Sequence, residues 1–493
     1  MPESPPQPPQ PPQPPQPPQP PPSLTRETTT AAAVLLATTP ACRLPCADGT
    51  LLDRLKSQIG GRVRDLHVVP AGNGLADDLR TVAKLVRLSQ GPVVVLPADI
   101  VAHTEALAML LEHPARGTAA LVSTDRPPGP LRPPVRLEVA KVVAAGSSFH
   151  TVPEANATFL GVLQVGQAHL GTLADIADEL ADLVAAGRLG PVSPVEAIDL
   201  LLVGLVRAGV RVRATLAGPL RCDRVTGQSS ADSAMARLAE VDEAKVRLEA
   251  AVKADDGFFA THFVSSWSPL LVRLAARLKL APNTVTGISC GLAVLAAVWF
   301  SYGERWAQVL GAALVYLSFV LDCVDGQLAR YTRTFTPLGA WADGMADRLK
   351  EYLVYVGLAA GYAAGLGNPD GIWHLAVAAM IMQVVRHCVD FSFSGAVRDA
   401  ARVGAARGRP PRSLMEPSDR GPQGIRALAG RLERGSVLRW AKKMITLPIG
   451  ERMAVIAVTA ALFNARVTFL ALLGWGAVAT LYQLTGRVER ATA

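Results

Sequence analysis

The chain has 493 residues, of which 50% are hydrophobic and 5% aromatic, with a mean hydropathy of +0.26 and a formal net charge of +8. The length suggests roughly two or three domains, and the apolar composition argues against a purely soluble protein. A basic balance fits nucleic acid, a membrane surface or an acidic substrate. The few aromatics and the lack of zinc-finger spacing argue against a nucleic-acid partner.

Residues 1–23 are a repeat of proline and glutamine, which can neither form a helix nor bury a core. They are predicted to be a disordered, polyproline-rich tail, without the apolar stretch of a signal peptide. Six scattered cysteines are predicted to be reduced packing residues. Cys42 and Cys46 have a spacing that suits a metal, but no second Cys or His pair follows.

Residues 24–225 alternate short apolar runs with amphipathic segments, which predicts a doubly wound α/β domain. The predicted elements alternate in chain order, with strands at 31–39, 66–71 and 92–101 and helices at 51–59 and 75–89. Residues 226–254 are polar and are predicted to form a connecting helix.

From residue 255 to 486 the sequence predicts an all-α membrane domain. Six apolar segments approach the roughly 20 residues that cross a bilayer; they are 284–303, 306–328, 338–364, 371–393, 448–464 and 467–486. Just before them, residues 268–282 place leucines opposite basic residues at helical spacing, as expected of a helix lying on the membrane surface.

The distribution of Lys and Arg predicts the orientation. The loop 398–443 carries twelve Lys and Arg against four Asp and Glu, whereas the loop between the third and fourth segments carries no Lys or Arg. Basic loops tend to stay in the cytoplasm. Six spans then put both termini, including the short tail 487–493, on the cytoplasmic side.

Four aspartates stand in the most apolar half of the chain, where charged groups are costly and are kept mainly when they act. Asp322 and Asp325 are three residues apart and share one helix face; Asp343 and Asp347, four apart, share a face of the next helix. The short connection 331–337 predicts antiparallel neighbouring helices, whose carboxylates converge near the cytoplasmic end.

Unpaired, four carboxylates would repel one another, and divalent cations remove that repulsion. An all-oxygen site suits Mg²⁺ or Mn²⁺, and two ions held roughly 3.5–4 Å apart would clamp a diphosphate for in-line displacement at phosphorus. Gly326 and Ala329 leave room for a bulky ligand, and Arg330 can bond phosphate oxygens in pairs. In the alternative interpretation, the acidic residues only pair with nearby basic ones, namely Arg330, Arg333, Arg348 and Lys350.

The pattern D-G-x2-A-R-x8-G-x3-D-x3-D is matched without a gap, and Asp322 stands three residues upstream of it. It resembles the signature of the CDP-alcohol phosphotransferases, integral membrane enzymes of phospholipid synthesis. The resemblance covers about residues 255–486. It includes the segment PNTVTGIS at 282–289, which is similar to the family's entry into its first span.

The resemblance implies a role for each matching residue. Asp322, Asp325 and Asp343 would ligate metal, and Asp347 would complete the metal site and act as general base on the acceptor hydroxyl. The CDP pocket would be lined by Gly326, Ala329, Arg330 and Gly339. The hydroxyl attacks the β-phosphorus of a CDP-alcohol and CMP leaves. The resemblance also implies a homodimer in the lipid bilayer.

Family members that use an inositol phosphate place extra basic residues near the metal site, and the candidates here are Arg386, Arg333 and Lys350. Arg386 stands in an otherwise apolar segment, so a substrate contact is one interpretation and a pair with Asp390 is the other. Glu451 and Arg452, at the start of the fifth segment, are interpreted as an interfacial anchor without an assigned role.

The front part of the chain is similar to the cytidylyltransferase half of bifunctional archaeal enzymes, which make CDP-inositol and then condense it with inositol phosphate. The active pattern begins with a Gly-rich loop that holds nucleotide phosphates. Here that place is ATTPACRLPCADG, where Arg43 and Leu44 fit but the glycines and a following Lys are missing. Asp99 fits a metal ligand weakly, and a turn or cap residue is the alternative. The sequence therefore favours a degenerate, regulatory or scaffolding domain.

The predicted architecture is an α/β nucleotidyltransferase-like soluble domain followed by an all-α polytopic membrane domain with six transmembrane helices, located in the inner membrane. The predicted activity is transfer of a substituted phosphate from a CDP-linked donor to an alcohol or inositol-phosphate acceptor. Two alternatives remain: a bifunctional enzyme that also makes its donor from CTP, and a cation-binding transporter. Concentration of the carboxylates in two segments favours catalysis over transport.

Overall fold

The computed structural model describes residues 30–492, with gaps at 48, 114–115, 139, 253–256, 367–370, 407–413, 416–439 and 441–443. The predictions for the tail 1–23 and for most of the loop 398–443 lie outside the described residues. The part of the loop up to Ala406 is helical.

The front domain, residues 30–225, is built on a mixed sheet with helices on both faces. Its strands are β1 (Thr30–Ala37), β2 (Pro45–Cys46), β3 (Gly49–Thr50), β4 (Val63–Pro70), β5 (Val93–Pro97), β6 (Ile100–Ala102), β7 (Ala119–Ser123), β8 (Pro134–Glu138), β9 (Lys141–Ala145), β10 (Ala157–Val165), β11 (Val212–Leu216) and β12 (Cys222–Arg224). Its helices are α1 (Leu51–Gly60), α2 (Leu75–Leu88), α3 (Thr104–Leu111), α4 (Leu170–Ala185) and α5 (Ala197–Arg207).

Eight of these strands form one sheet in the order β4-β1-β5-β10-β7-β11-β9-β8. β1 is parallel to β4 and β5, whereas β10 is antiparallel to both of its neighbours β5 and β7. The predicted α/β layering is therefore confirmed, but the sheet is mixed, since β7 and β11 form a second parallel pair beyond the antiparallel strand β10. The alternation of β1 explains the layers, because Val34 and Leu36 face the core with α2, α4 and α5, while Ala33 and Leu35 face α1.

Two helices, α6 (Gln228–Ala239) and α7 (Glu243–Ala251), follow the front domain, so the prediction of a single connecting helix is wrong. Asp242 separates them. Its carboxylate accepts hydrogen bonds from the backbone of Ala244 and Lys245, which starts a new helix at Glu243.

The C-terminal part is helical throughout its described residues. It consists of α8 (Ser268–Arg277), α9 (Pro282–Ser301), α10 (Arg305–Thr332), α11 (Pro337–Leu366), α12 (Ile372–Ala406), α13 (Ile449–Leu462) and α14 (Ala465–Thr492). Within the described ranges, four helices are long and apolar enough to cross a membrane: α9, α10, α12 and α14. All six predicted segments are helical, but α11 carries a run of charged residues and α13 has only 14 residues, so six spans are not confirmed.

Helix α9 packs along both α10 and α11 and is the main partner of each. Two glycines of α11 permit the close approach. A Cβ at Gly361 would lie 1.9 Å from the carbonyl oxygen of Phe300, and one at Gly357 would lie 2.3 Å from that of Ala297. Small residues four apart are typical of tightly packed membrane helices. The prediction that α10 and α11 are direct neighbours holds only at the end where the aspartates lie.

Candidate functional site

Three carboxylates from two helices meet in one place. Asp322 and Asp325 lie on α10 and Asp343 lies on α11, and one oxygen of each lies within 4.8 Å of one of the others. Asp325 is buried, whereas Asp322 and Asp343 are partly exposed. The spacing of three residues on α10 aims both of its aspartates at the same side, and the end of α11 that starts at Pro337 brings the third.

The first turns of α9 complete the surroundings of this cluster. The hydroxyl of Thr286 donates to Asp325 Oδ2 at 2.5 Å. A Cβ at Gly339 would lie 3.1 Å from Asn283 Oδ1, so glycine there lets α11 approach α9 closely. Neither Thr286 nor Asn283 was singled out from the sequence, although both stand in the segment 282–289 that resembles the family's first span.

Lys350 links the carboxylate cluster to the fourth aspartate. Its ammonium group pairs with Asp322 and lies 3.2 Å from Asp347 Oδ1. It also donates to Ser289 Oγ at 3.3 Å. Asp347 therefore stands beside the three clustered carboxylates rather than among them. One buried cation partly balances the acidic groups, which is the pairing that the alternative interpretation expected of Lys350.

The small residues of the pattern lie beside the cluster. The nearest atoms to a Cβ at Gly326 would be those of the Arg330 guanidinium, the closest at 3.5 Å, and Ala329 is half-buried one turn away. Arg330 Nε donates to the backbone oxygen of Ala251, at the end of α7. The backbone N–H of Gly339 donates to Thr336 Oγ1 at 2.9 Å, which begins α11.

A second buried polar network lies next to this site, around Glu351. Its carboxylate accepts hydrogen bonds from Tyr355, Gln383 and Arg452, with Arg452 Nε at 3.1 Å. Arg452 and Glu451 are 7% and 5% exposed, so their interpretation as an interfacial anchor is wrong. Glu451 accepts instead from the backbone N–H of Phe258 at 2.6 Å. The two residues fasten α13 to the rest of the helical part.

Arg386 belongs to the edge of this network. Its Nη1 donates to Gln383 at 3.2 Å and its Nη2 to the backbone oxygen of Thr446 at 2.9 Å. Its alternative partner was predicted wrongly, because Asp390 pairs with Arg487. The structure thus brings Arg386 near the Glu351 network and not into contact with the carboxylate cluster.

Arg333, the third basic candidate, faces the front domain. Its guanidinium pairs with Glu105 and with Glu112, the latter at 2.7 Å. The left-handed backbone at Arg333, with φ of 58°, ends α10 and turns the side chain toward α3. Arg333 is thus paired with the front domain and not with the carboxylate cluster.

In the front domain, Asp99 is sealed in a buried ion pair. Arg224 donates to its two oxygens at 2.9 and 3.0 Å, and Thr39 donates at 3.1 Å. Asp199 lies 3.8 Å from the same guanidinium, and burial raises the pKa of its carboxyl to about 7. Asp99 lies in the turn between β5 and β6, as the alternative interpretation predicted, and its carboxylate is bound by Arg224 and Thr39. All six cysteines are free, as predicted.

The clustered donors are all hard oxygen atoms, which suit Mg²⁺, Mn²⁺ or Ca²⁺ better than soft metals. Four helices of the described part that are long and apolar enough to cross a bilayer, together with a carboxylate cluster on α10 and α11 that could hold a metal ion, are features of a membrane protein with a candidate site for a divalent cation. Residues 279–483 match the family described as CDP-alcohol phosphatidyltransferase.

Two curated relatives show the extent of the likeness. A phosphatidylinositol phosphate synthase from Mycolicibacterium smegmatis is 32% identical over 122 residues, which cover 24% of this chain and 52% of that protein. A bifunctional IPC transferase and DIPP synthase from Rubrobacter xylanophilus is 36% identical over 102 residues, covering 21% of this chain and 23% of that protein. The chain thus spans about half the length of the first relative and about a quarter of the second.

Among solved structures, the inositol-1-phosphate CTP transferase from T. maritima aligns with a TM-score of 0.32 and 13% identity, covering 43% of this chain and 97% of that one. With a score this low, the fold of the front domain rests on its own strand order and helix layers.

Proposed function

We propose that the chain is a CDP-alcohol phosphotransferase, which moves a substituted phosphate from a CDP-linked donor to an alcohol and releases CMP. The observation that carries the proposal is the meeting of Asp322, Asp325 and Asp343 within 4.8 Å of one another inside the part that matches the family. A phospholipid or an inositol-phosphate lipid is the proposed product class, in keeping with the names of the two relatives.

The three clustered carboxylates would hold Mg²⁺ or Mn²⁺, and we propose two ions. When bound, such ions neutralise the charge on the diphosphate and its transition state. The fit rests on the donor set, in which Thr286 orients Asp325 by a hydrogen bond of 2.5 Å. Asp347, 3.2 Å from Lys350, would complete the site from its edge.

Asp347 is the proposed general base, since its carboxylate stands beside the cluster without being part of it. It would take the proton of the acceptor hydroxyl as the hydroxyl oxygen attacks the β-phosphorus and the bond to CMP breaks. Gly326, Ala329 and Gly339 would leave room for the CDP group, and Arg330 would bond its phosphate oxygens.

Arg386 and Lys350 remain the proposed contacts for the acceptor. Arg386 is 6% exposed, and its Nε has no hydrogen-bond partner among the residues that the structure describes. A buried guanidinium with a spare donor can bind a phosphate-bearing acceptor. Lys350 lies beside the proposed base and would help to hold the acceptor hydroxyl there.

We further propose six membrane crossings, with the front domain and both termini in the cytoplasm. The loop before α11 contacts the front domain through Arg333 and Glu112 at 2.7 Å. The loop after α12 contacts it through Leu414, whose carbonyl oxygen lies 2.8 Å from His150 Nε2. Because both loops contact the front domain, they lie on the same side of the membrane. The chain between them must then cross the membrane once through α11 and once through α12, which supports α11 as a span. A homodimer without nucleic acid is the proposed assembly.

The bifunctional alternative, in which the front domain makes the donor from CTP, has less support, because the Asp99 carboxylate is already hydrogen-bonded to Arg224 and Thr39. Supplying CTP and sugar phosphates to the full chain decides this point, since release of pyrophosphate would establish a second activity. The transporter alternative predicts cation flux through vesicles that contain the protein. It draws no support from carboxylates gathered on two helices.

The main test is a CMP-release assay on membranes, with CDP-diacylglycerol or CDP-inositol as donor and a panel of acceptor alcohols. Asp343→Asn and Asp347→Asn should each reduce turnover by at least about a hundredfold, the lower range for loss of general-base or metal catalysis. Asp390→Asn is the matched control, because Asp390 lies in α12 and pairs with Arg487. Full activity in Asp343→Asn would contradict the metal assignment, and in Asp347→Asn the base.

A further inference from the structure

The front domain contacts the transferase part at the end of α10 that carries the CDP-binding pattern. Arg333 follows Arg330 by three residues, and its guanidinium pairs with Glu105 and Glu112 of the front domain. We call these three residues the Arg333 junction. The side chains of Arg333, Glu105 and Glu112 are 13%, 10% and 23% exposed, so the ion pairs are largely shielded from water.

Shielding makes the charges of the junction interdependent, because removing one partner leaves the other charge buried and unpaired. Charge-assisted hydrogen bonds are about twice as strong as neutral ones, and an isolated buried charge is costly. Burial raises the pKa of the Glu105 carboxyl and the Arg333 guanidinium counteracts that rise. Glu112 is itself held by Arg62 Nε at 2.9 Å. Arg333 is therefore fixed to both ends of α3, and through Glu112 it is connected to Arg62, which follows α1.

Helix α7 makes a second set of contacts to the same end of α10. At its start, the Glu243 carboxylate accepts from the backbone N–H of Glu105 at 2.8 Å. In its middle, the Arg247 guanidinium lies 4.4 Å from the ring centre of Tyr331, and Leu248 is buried in the helical core. At its end, the backbone oxygen of Ala251 accepts from Arg330.

These contacts run from the front domain to the residue proposed to bind the donor phosphates. We infer that the front domain positions the donor pocket: the Arg333 junction and α7 hold the last turn of α10, so that Arg330 is set by a domain that does not touch substrate. Glu105 and Glu112 are positioning residues in this scheme. The inference rests on the proposed function. It gives the front domain a role in the transferase reaction even though its Asp99 is bound by Arg224 and Thr39.

The expected effect is on donor binding rather than on the chemical step. Asp322, Asp325 and Asp343 lie on other turns and keep their places when the last turn of α10 loosens. In the full chain, Glu105→Gln with Glu112→Gln should raise KM for the CDP donor roughly tenfold, as expected for a contact coupled by about 1–2 kcal/mol. The kcat should change by less than about threefold. A purely structural role would lower the active fraction, hence the apparent kcat, and leave KM unchanged.

Reversing the charges of the Arg333 junction provides the decisive experiment. Arg333→Glu alone should raise the donor KM at least as much as the double variant, because it faces two carboxylates. Combining it with Glu105→Arg and Glu112→Gln restores one opposite pair and should bring KM back toward the wild-type value. Asp182→Asn is the matched control, since it breaks an exposed pair with Arg80 in the front domain, 3.1 Å long and remote from α10.

Hydrogen exchange gives a readout independent of turnover. Peptides covering 243–252 and 329–334 should exchange faster in the double variant than in the wild type, and the Asp182→Asn control should not differ. An unchanged donor KM in the folded double variant would overturn the inference, as would a charge reversal that restores nothing. If the double variant does not accumulate, Glu112→Gln alone is measured. We expect a smaller rise in the donor KM for this single variant. An unchanged donor KM would contradict the inference. If the wild type releases no CMP, the proposed function fails, and unchanged exchange then rejects the junction separately.

Discussion

At the scale of single residues, the carboxylate cluster depends on neighbours that orient its oxygens. Asp325 is 3% exposed, so an unoriented carboxylate there would be costly to bury. Thr286 provides one donor from α9 at 2.5 Å, and Lys350 provides the counter-charge from α11. The cluster is therefore held by three helices, although its acidic residues come from two. This arrangement makes the α9 donor a testable part of the metal site.

Replacing Thr286 by Val keeps the shape of the side chain and removes the hydrogen bond to Asp325. The expected result is a Mg²⁺ activation curve shifted to higher concentration by roughly tenfold, the range seen for loss of a residue that orients a metal ligand. Maximal activity at saturating Mg²⁺ should remain within a few-fold of wild type. Thr284→Val is the control, because Thr284 is exposed on the same helix. An unshifted curve for Thr286→Val would show that Asp325 needs no such orientation.

A second residue-scale prediction concerns Asp199, whose pKa burial raises to about 7. The pKa of an aspartate in an unfolded chain is about 3.9. Between about pH 3.9 and the folded pKa of about 7, the folded chain therefore binds more protons than the unfolded chain. Stability from this group is therefore present at acidic pH and is lost as pH rises toward 7. Asp199→Asn should raise the melting temperature at pH 8.5 by about 2 °C or more, and less at pH 5.5.

The exposed carboxylate of Asp175, which pairs with Arg87 on the surface, provides the control. Asp175→Asn should change the melting temperature little and equally at the two pH values. If Asp199→Asn lowers the melting temperature at pH 8.5, the ion pair with Arg224 outweighs the cost of burying the charge, and the predicted sign is wrong.

The spacing of the motif predicted which aspartates would meet, because helical periodicity fixes the face of each residue. It could not predict that Arg333 turns toward Glu105 and Glu112, since those contacts depend on how a separate domain docks. The sequence likewise placed Asp99 at a strand end but gave no sign that Arg224, 125 residues later, would seal it. Contacts distant in sequence are set by tertiary packing, which local pattern does not encode.

At the scale of elements, α9 acts as the central support of the site. It packs along α10 and α11, and its first turns supply Thr286, which donates to Asp325, and Asn283, which lies against Gly339. Gly357 and Gly361 bring the α11 backbone against α9 in the part of α11 that follows the carboxylates. The sequence predicted these helices well, since their apolar length is unmistakable. It did not predict the close approach, because a glycine in an apolar helix is equally compatible with a loose contact.

Substitution within α11 tests this support. Gly361→Ala would place a Cβ 1.9 Å from the carbonyl oxygen of Phe300 and force the helices apart. The expected cost is about 1–3 kcal/mol, as for other overpacked cores, seen as a lower melting temperature in detergent and reduced CMP release. Gly365→Ala is the matched control on the same helix, since a Cβ there meets nothing within 4 Å. Equal stability of the two variants would show that α9 and α11 can separate without consequence.

At the scale of the whole molecule, the described residues show two contacts, far apart in sequence, between the front domain and loops of the helical part. One is the Arg333 junction before α11, and the other is Leu414, 3% exposed, which packs into the core of the front domain. Because the front domain contacts both loops, the helices between the two loops must begin and end on the same side of the membrane. The number of crossings therefore follows from which side of the membrane each loop occupies.

A topology with six crossings and one with four crossings differ in the side of the membrane on which two of the loops lie. If α11 and α13 cross together with the four long apolar helices, residues 367–370 lie outside and the loop 407–443 lies in the cytoplasm; if they do not cross, the two positions exchange. A short protease site inserted after Asp370 or after Ser418 distinguishes the two cases in inside-out membrane vesicles, where the cytoplasmic face is exposed to added protease. We expect cleavage at the second site only, because Leu414 contacts His150 in the same front domain that Arg333 reaches. Each insertion serves as the control for the other, and both should be cut once detergent opens the vesicles. Cleavage at the first site alone would reduce the crossings to four and would place the basic loop, with its contact to the front domain, on a side that the structure does not allow.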